Sequence, residues 1–150
     1  MHTDPDSISD IICLHTGAPL NGIAAFDLNN GSKIDIGKYS HVVLLAVNGG
    51  GTTAATVTIT PKDTDSQTGP EFPLDGTGGV PDLRRTFSSQ ADLGSRQVVI
   101  RTAGRRRFLN VEIALSATGT VRVALYLICY GKRQSNAQPI DTNLAALGVS

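Results

Sequence analysis

The sequence predicts an all-β protein, an antiparallel β-sandwich of jelly-roll type. Two observations carry this prediction. Several short segments alternate apolar and polar residues, and glycine-, proline- and asparagine-rich turns separate them at intervals of roughly ten residues. The 150 residues suffice for one domain with a core of its own. We expect residues 21–130 to form the sandwich, residues 1–20 an extended N-terminal arm and residues 131–150 a C-terminal tail.

The N-terminal segment leaves two alternatives open. Asp4 and Pro5 suit the cap and the first position of a short helix. Ile8, Ile11 and Ile12 would then share one side of that helix. Isoleucine suits an extended arm equally well. In either case we expect contact with other chains to order this apolar segment.

The next elements are a hairpin and an apolar strand. Residues 22–28 and 33–36 flank Asn29-Asn30-Gly31, and an Asn-Gly pair favours a tight reversal. Residues 42–47 form a further strand that is apolar on both faces. Both faces of such a strand should be covered. Asn48 to Gly51 is predicted to be the turn that follows.

Residues 54–60 alternate cleanly and predict a strand that ends at Pro61. The stretch 61–96 is rich in proline and glycine. It is longer than the connections usual inside a compact domain, which indicates either a function or hidden short strands. We expect those strands at Glu71-Phe72 and Thr86-Phe87.

Residues 97–101 predict another strand, and a hairpin follows it. The hairpin consists of residues 107–115 and 120–130, joined by the turn Ser116-Ala117-Thr118-Gly119. In its first strand alternate residues from Leu109 onward are apolar and share the inward face.

The end of the second hairpin strand, residues 123–130, is free of charge on both faces. The chain has little helical pattern to cover the outward face, so a second subunit or the chain's own tail should cover it. This indicates an assembly protein, a homodimer or homotrimer. We therefore assign Tyr126, Ile128 and Tyr130 to a protein interface.

The densest charge cluster is Arg105-Arg106-Arg107. Arginine is favoured at interfaces because its planar fork pairs with carboxylates, so we assign all three to the same interface. Arg106 lies on the strand face opposite Leu109 and is expected to meet a partner's carboxylate. A merely solvated cluster is the alternative. Nucleic acid is not an expected partner, because the chain is neutral and holds only three tyrosines and four phenylalanines.

The remaining motifs indicate neither an enzyme nor a cofactor. The three histidines are scattered, and no Gly-x-Ser-x-Gly elbow is present. The acidic segment 63–67 begins like a calcium loop, but Thr68 and Leu74 stand where that loop needs glycine and glutamate. We expect a solvated turn there. The sequence thus predicts no catalytic residue and no metal site.

The cysteines and the hydropathy of the chain indicate the cellular compartment in which the protein is made. Cys13 and Cys129 lie among apolar residues and are predicted to be buried free thiols, with an arm-to-core disulfide as the alternative. No apolar stretch has the length of a membrane span, and the first residues lack the pattern of a signal peptide. Synthesis in a cytoplasm is expected.

Charge is unevenly distributed along the chain. Residues 1–82 hold ten acidic residues against three lysines, a net charge of −7, and residues 83–150 hold ten basic against three acidic residues, a net charge of +7. Because distant segments of a chain interleave in a β-sandwich, one expected outcome is that acidic and basic residues pair with each other on the same surface. Two faces of opposite sign would instead suit docking.

Residues 20–140 together resemble minor virion proteins of tailed bacteriophages, in particular capsid decoration (cement) proteins. The resemblance rests on Gly37 to Val43, Asn48 to Gly51 with the threonine-rich strand after it, Arg106 to Val111, Thr120 to Val123, and Tyr130 to Arg133. It implies a jelly-roll-like fold, oligomerisation and a binding role without catalysis.

The corresponding function is that of a structural virion protein. Such a protein is made in the host cytoplasm, binds the major capsid protein on the capsid exterior and stabilises the shell. Two alternatives remain. One is a neck or tail adaptor or fibre module of the virion. The other is a carbohydrate-binding module, which the absence of tryptophan disfavours.

Overall fold

A computed structural model describes residues 7–21, 25–27, 33–52, 54–117 and 119–132. Three features considered above lie outside this range: the helix start at Asp4-Pro5, the reversal at Asn29 to Gly31, and the tail from residue 133 onward.

The described residues form two antiparallel sheets. The strands of sheet A are β1 (Ile8–Thr16), β2 (Leu20–Asn21), β5 (His41–Gly51), β9 (Gly94–Arg101) and β11 (Thr120–Tyr130). The strands of sheet B are β3 (Ala25–Asp27), β4 (Ile34–Asp35), β6 (Thr56–Thr64), β7 (Phe72–Pro73), β8 (Arg85–Ser88) and β10 (Phe108–Leu115). A short 3₁₀ turn at Thr77–Gly79 lies between β7 and β8. The predicted all-β fold is confirmed.

The strand pairing is that of a jelly roll. Sheet A has the order β1-β11-β5-β9, with β2 beside β11. Sheet B has the order β3-β10-β6-β7, with β4 beside β10 and β8 beside β6. Because β3 and β4 both pair antiparallel with β10 and not with each other, the hairpin predicted for residues 22–28 and 33–36 is wrong. Early strands thus pair with late ones in a nested series: β1 with β11, β3 and β4 with β10, and β5 with β9. This nesting wraps the chain into two facing sheets.

The core lies between the two sheets, where alternate residues of each strand meet. Leu109 and Ile113 of β10 point into it from sheet B, and Leu125 and Leu127 of β11 from sheet A. All four side chains are fully buried. The period-2 pattern predicted for these two strands therefore corresponds to their buried faces. The predicted hairpin itself is wrong: β10 pairs with β3, β4 and β6, whereas β11 pairs with β1, β2 and β5, so the chain crosses from sheet B to sheet A between them.

The N-terminal segment differs from the expectation. Residues 8–16 are extended, which confirms the second alternative and not the helix, but they do not form an arm that other chains must order. They form the edge strand β1, paired with β11 from Ile8 opposite Tyr130 to Thr16 opposite Ala124. Leu14 reaches the core and is only 6% exposed. A chain cut at residue 20 would lose this strand and leave one side of β11 without a partner.

Two predicted strand ends are also wrong. The glycines after Asn48 continue β5 instead of forming a turn, and a Cβ at Gly51 would lie 2.8 Å from the Thr120 carbonyl oxygen, so the close approach of β11 requires glycine there. Pro61 lies inside β6. It sits between the stretches paired with β8 and β7, where its missing N–H removes no ladder bond, and its carbonyl accepts from the Leu74 N–H at 2.9 Å.

The hidden strands are confirmed. Phe72–Pro73 forms β7 and Arg85–Ser88 forms β8, the two short partners of β6. They shield part of the edge of sheet B. The long connection between β6 and β9 is thereby divided into short pieces, as the sequence predicted.

Three polar groups meet where β1, β11 and the start of β5 come together. The buried Tyr39 hydroxyl donates to the Asp10 carboxylate, and Cys129 lies beside them in the core. Burial, with this hydrogen bond added, raises the pKa of Tyr39. Burial, with the Asp10 charge added, raises the pKa of Cys129 from 9.0 to about 11.

Alkaline pH should therefore destabilise the fold. Above pH 9 the unfolded chain loses protons that Cys129 and Tyr39 keep in the folded state, so the folded state binds more protons. For Cys129 this contribution is complete below pH 9 and is lost as the pH rises to about 11, at about 1.4 kcal/mol per pH unit. Urea denaturation across this range measures it. The slope should flatten in Cys129→Ala, and an unchanged slope in that variant would contradict the assignment.

Candidate protein-binding surface

The surface of sheet A that points away from the core is defined by the strand register. Residues opposite each other on antiparallel strands place their side chains on the same face. Three rows cross β1, β11, β5 and β9 in this way, and together they are named the outer face of sheet A. The rows are Ile8, Tyr130, His41 and Arg101; Ile11, Ile128, Val43 and Val99; and Cys13, Tyr126, Leu45 and Gln97.

The middle row is entirely aliphatic. Ile11 and Val99, at the two ends, are 62% and 51% exposed. Val43, in the centre, is 8% exposed although it does not belong to the core between the sheets, so its neighbours on the outer face must cover it. A continuous apolar strip therefore crosses all four strands. This confirms that β5 and β11 are apolar on both faces.

Aromatic and polar side chains flank the aliphatic row. The His41 and Tyr130 rings stack with centroids 4.6 Å apart and planes 5° from parallel. Tyr126 lies on the other side of the row, beside Leu45 and Cys13. The predicted interface residues Tyr126, Ile128 and Tyr130 thus lie together on one surface. An apolar centre with aromatic residues and a polar rim is typical of protein interfaces.

The opposite side of the sandwich has a different character. The outward residues of sheet B include Thr58, Thr86 and the ion pair of Lys62 with Glu112. In contrast, four of the six exposed large hydrophobic side chains of the described residues (Ile8, Ile11, Val47 and Val99) lie on β1, β5 and β9 of sheet A. The apolar exposure is therefore a property of one face and not of the surface in general.

The structure gives Arg106 a different partner from the predicted one. Its backbone N–H and its Nη1 donate to the Asp63 carboxylate at 3.1 and 3.0 Å. Its guanidinium lies 3.8 Å from the centroid of the Phe72 ring and its Nε 3.5 Å from Asp65 Oδ2. The Asp63 side chain is only 2% exposed, so the predicted solvated turn is wrong at this residue. Arg106 satisfies a carboxylate of its own chain, because β6 runs past Pro61 and places Asp63 beside it.

The two neighbours of Arg106 differ from each other. Arg107 pairs with Asp35 through Nε and Nη2, at 3.1 and 2.8 Å, and this pair lowers the pKa of Asp35. Within the described part of the chain, Arg105 makes no ion pair. Of the three arginines, Arg105 is thus the one left for a partner. The ion pairs of Arg106 and Arg107 join the basic half of the chain to the acidic half, so at these residues the two charges pair on one surface.

The two cysteines are free thiols in different environments. Cys129 is buried as predicted, whereas Cys13 is exposed, contrary to the prediction. Cys13 lies opposite Tyr126 and points outward, whereas Cys129 points into the core, so the two thiols are on opposite faces of sheet A. An arm-to-core disulfide is therefore not present.

Thiol labelling should report on the outer face of sheet A. Iodoacetamide reacts with the thiolate, so the exposed Cys13 should be alkylated readily while Cys129, buried and with a raised pKa, resists. Self-association through this face should slow the alkylation of Cys13 at least about tenfold, because the contact excludes solvent. Mass spectrometry of aliquots from dilute and concentrated protein measures the rate. A Cys13 rate that is independent of concentration would contradict burial of this face.

Over the ranges given above, no group of three or more histidine, cysteine, aspartate or glutamate side chains is arranged to hold a metal ion. The same ranges contain no helix that is long and apolar enough to cross a membrane.

The chain matches no model of a known protein family and no curated protein. Among solved structures it is similar to a Clostridium thermocellum endo-1,4-β-D-xylanase 10B, determined as CBM22-1 and GH10 modules complexed with xylohexaose. The sequence identity is 11% and the TM-score 0.40, over 91% of this chain and 29% of that chain. This chain thus spans less than a third of the xylanase chain, and the likeness carries no argument about function.

Proposed function

We propose that this protein is a non-catalytic structural protein that self-associates through the outer face of sheet A and coats a phage capsid as a decoration protein. The observation that carries the self-association is the aliphatic row of Ile11, Ile128, Val43 and Val99, which is continuous across four strands. Burial of exposed apolar surface is the main driving force of association.

A second copy of the chain fits this surface. Two sheets stack face to face about 10 Å apart, and a two-fold axis brings the same patch of both copies together. Four strands about 4.8 Å apart and three rows about 7 Å apart give a footprint of about 400 Å². That matches the apolar centre of a standard interface of about 800 Å² per partner. Arg101 is the charged member of the three rows and lies at a corner, so a second copy would bury few charges.

The capsid role is supported by the resemblance of the sequence to decoration proteins and by the jelly-roll topology, which is frequent among virion proteins. The mechanism is mass action. A protein that binds the assembled lattice but not free subunits shifts the equilibrium toward the intact shell. No catalytic step is needed for this function.

Sedimentation with empty shells tests the capsid role. The shells are assembled from the major capsid protein encoded in the same genome, with free capsid subunits as the matched control. We expect saturable binding to the shell in a fixed ratio to the lattice, with a raised melting temperature of the shell. Equal binding to free subunits, or none to shells, would overturn the capsid role and leave self-association to be judged separately.

A further inference from the structure

A cleft of about 400 Å³ lies along β9, the edge strand of sheet A that follows β5. Its walls combine residues of β9, a proline-containing segment of the connection between β7 and β8, and the loop before β10. The lining residues are Pro81, Leu83, Val99, Ile100, Arg101, Ala103 and Arg105.

The backbone of β9 presents unpaired groups to this cleft. The Gln97 carbonyl accepts from Arg85 Nε at 3.3 Å and therefore points away from β5. The Thr102 N–H donates instead to the Ser40 carbonyl beside β5. Val98 and Ile100 are an even number of residues from Thr102, so their amide groups point toward β5 as well. Since the amide groups of alternate residues point to the same side of a strand, those of Val99 and Arg101 point to the open edge, as Gln97 does.

The side chains at the cleft supply apolar contact and positive charge. Val99 belongs to both the cleft and the aliphatic row of the outer face, and Leu83 packs against the core from the opposite wall. Arg101 and Arg105 make no ion pair within the described residues, whereas Arg106 and Arg107 are held by Asp63 and Asp35. Arg105 also lines a second cleft, of about 630 Å³, together with Arg106, Asp63 and Asp65. Since Asp63 and Asp65 both pair with Arg106, Arg105 remains the cation available to the first cleft.

We propose that this cleft binds an extended acidic segment of a partner protein, which adds to sheet A as a strand beside β9 and places a carboxylate against Arg105. Main-chain hydrogen bonds from an edge strand give affinity for an extended peptide, and neighbouring side-chain pockets give specificity. The charge of the two arginines selects acidic partners. The inference rests on the proposed function only in making that partner the capsid protein.

NMR titration tests this inference with a defined probe: an acetylated eight-residue peptide of alternating threonine and valine with two central glutamates. We expect saturable shifts and slower hydrogen exchange at the amides of Val99 and Arg101. The amides of Val98 and Ile100, which pair with β5, should be protected already in the free protein. A peptide N-methylated at every residue has no amide N–H on either edge to donate to β9 and should not bind.

Two variants separate the charge from the backbone contact. Arg105→Ala should weaken binding at least about tenfold, as expected for a desolvated charge pair. Arg122→Ala, which removes an exposed arginine of β11, should leave it unchanged. The peptide with glutamine in place of glutamate should bind more weakly and lose its dependence on Arg105. Absence of saturable binding, shifts confined to other edges, or equal effects of both variants would overturn the inference. Self-association is measured in a separate experiment, so a failure of self-association would be distinguished from a failure of peptide binding at the β9 cleft.

Discussion

Replacing Ile128 by aspartate is expected to convert the self-associated protein into monomers without unfolding it. Ile128 lies in the middle of the outer face of sheet A, between Ile11 and Val43, and does not belong to the core between the sheets. In a two-fold contact the new carboxylates of both copies would be desolvated close to each other. A buried unpaired charge typically costs several kcal/mol, so we expect the association constant to fall by at least about a hundredfold.

The matched control is Thr86→Asp, on the outward surface of sheet B. It adds the same charge to a strand of the same sandwich but away from the apolar rows. Sedimentation velocity should give a monomer for Ile128→Asp and the unaltered assembly for Thr86→Asp, with similar thermal unfolding of both. Retention of the wild-type mass by Ile128→Asp would show that another surface holds the copies together.

Replacing Arg106 by alanine is expected to lower the stability of the fold. The change leaves the Asp63 carboxylate buried with the Arg106 backbone N–H as a donor, and it removes the cation from the face of Phe72. Cutting a fully buried pair costs about 3–5 kcal/mol. Because the arginine itself is partly exposed, we expect about 2–3 kcal/mol, measured by urea denaturation.

Arg107→Ala is the control for this prediction. Its pair with Asp35 is largely exposed on the arginine side, so its loss should change the free energy of unfolding by about 0–1 kcal/mol. Arg106→Lys should recover part of the stability by restoring the charge. If Arg106→Ala and Arg107→Ala were equally mild, the Asp63 carboxylate would not depend on Arg106.

β10 and β11 could be predicted as strands because each carries its own period-2 pattern, although the sequence wrongly paired them as a hairpin. The inward residues of β10 and β11 are apolar, and the short strands near Phe72 and Phe87 stand out in a proline- and glycine-rich stretch. The outer face of sheet A could also be foreseen in part, since a strand apolar on both faces needs cover on both. Tyr126, Ile128 and Tyr130 followed from that argument.

The features that the sequence did not reveal depend on partners distant in the chain. β1 is an edge strand because β11, more than a hundred residues later, lies beside it. Arg106 is a structural residue because β6 continues past Pro61, where the sequence predicts its end, and places Asp63 within hydrogen-bond distance of Arg106. Cys13 is exposed because the register of β1 turns it outward. Local patterns carry no information about register between remote strands, and a one-residue shift reverses which side chains face the solvent.

The central claim is that the outer face of sheet A holds copies of this chain together, and the mass of the unaltered protein in solution tests it most directly. Sedimentation velocity or light scattering at micromolar concentration should give a dimer, twice 15.7 kDa, that dissociates on dilution. A mass of 15.7 kDa at every concentration would contradict the claim.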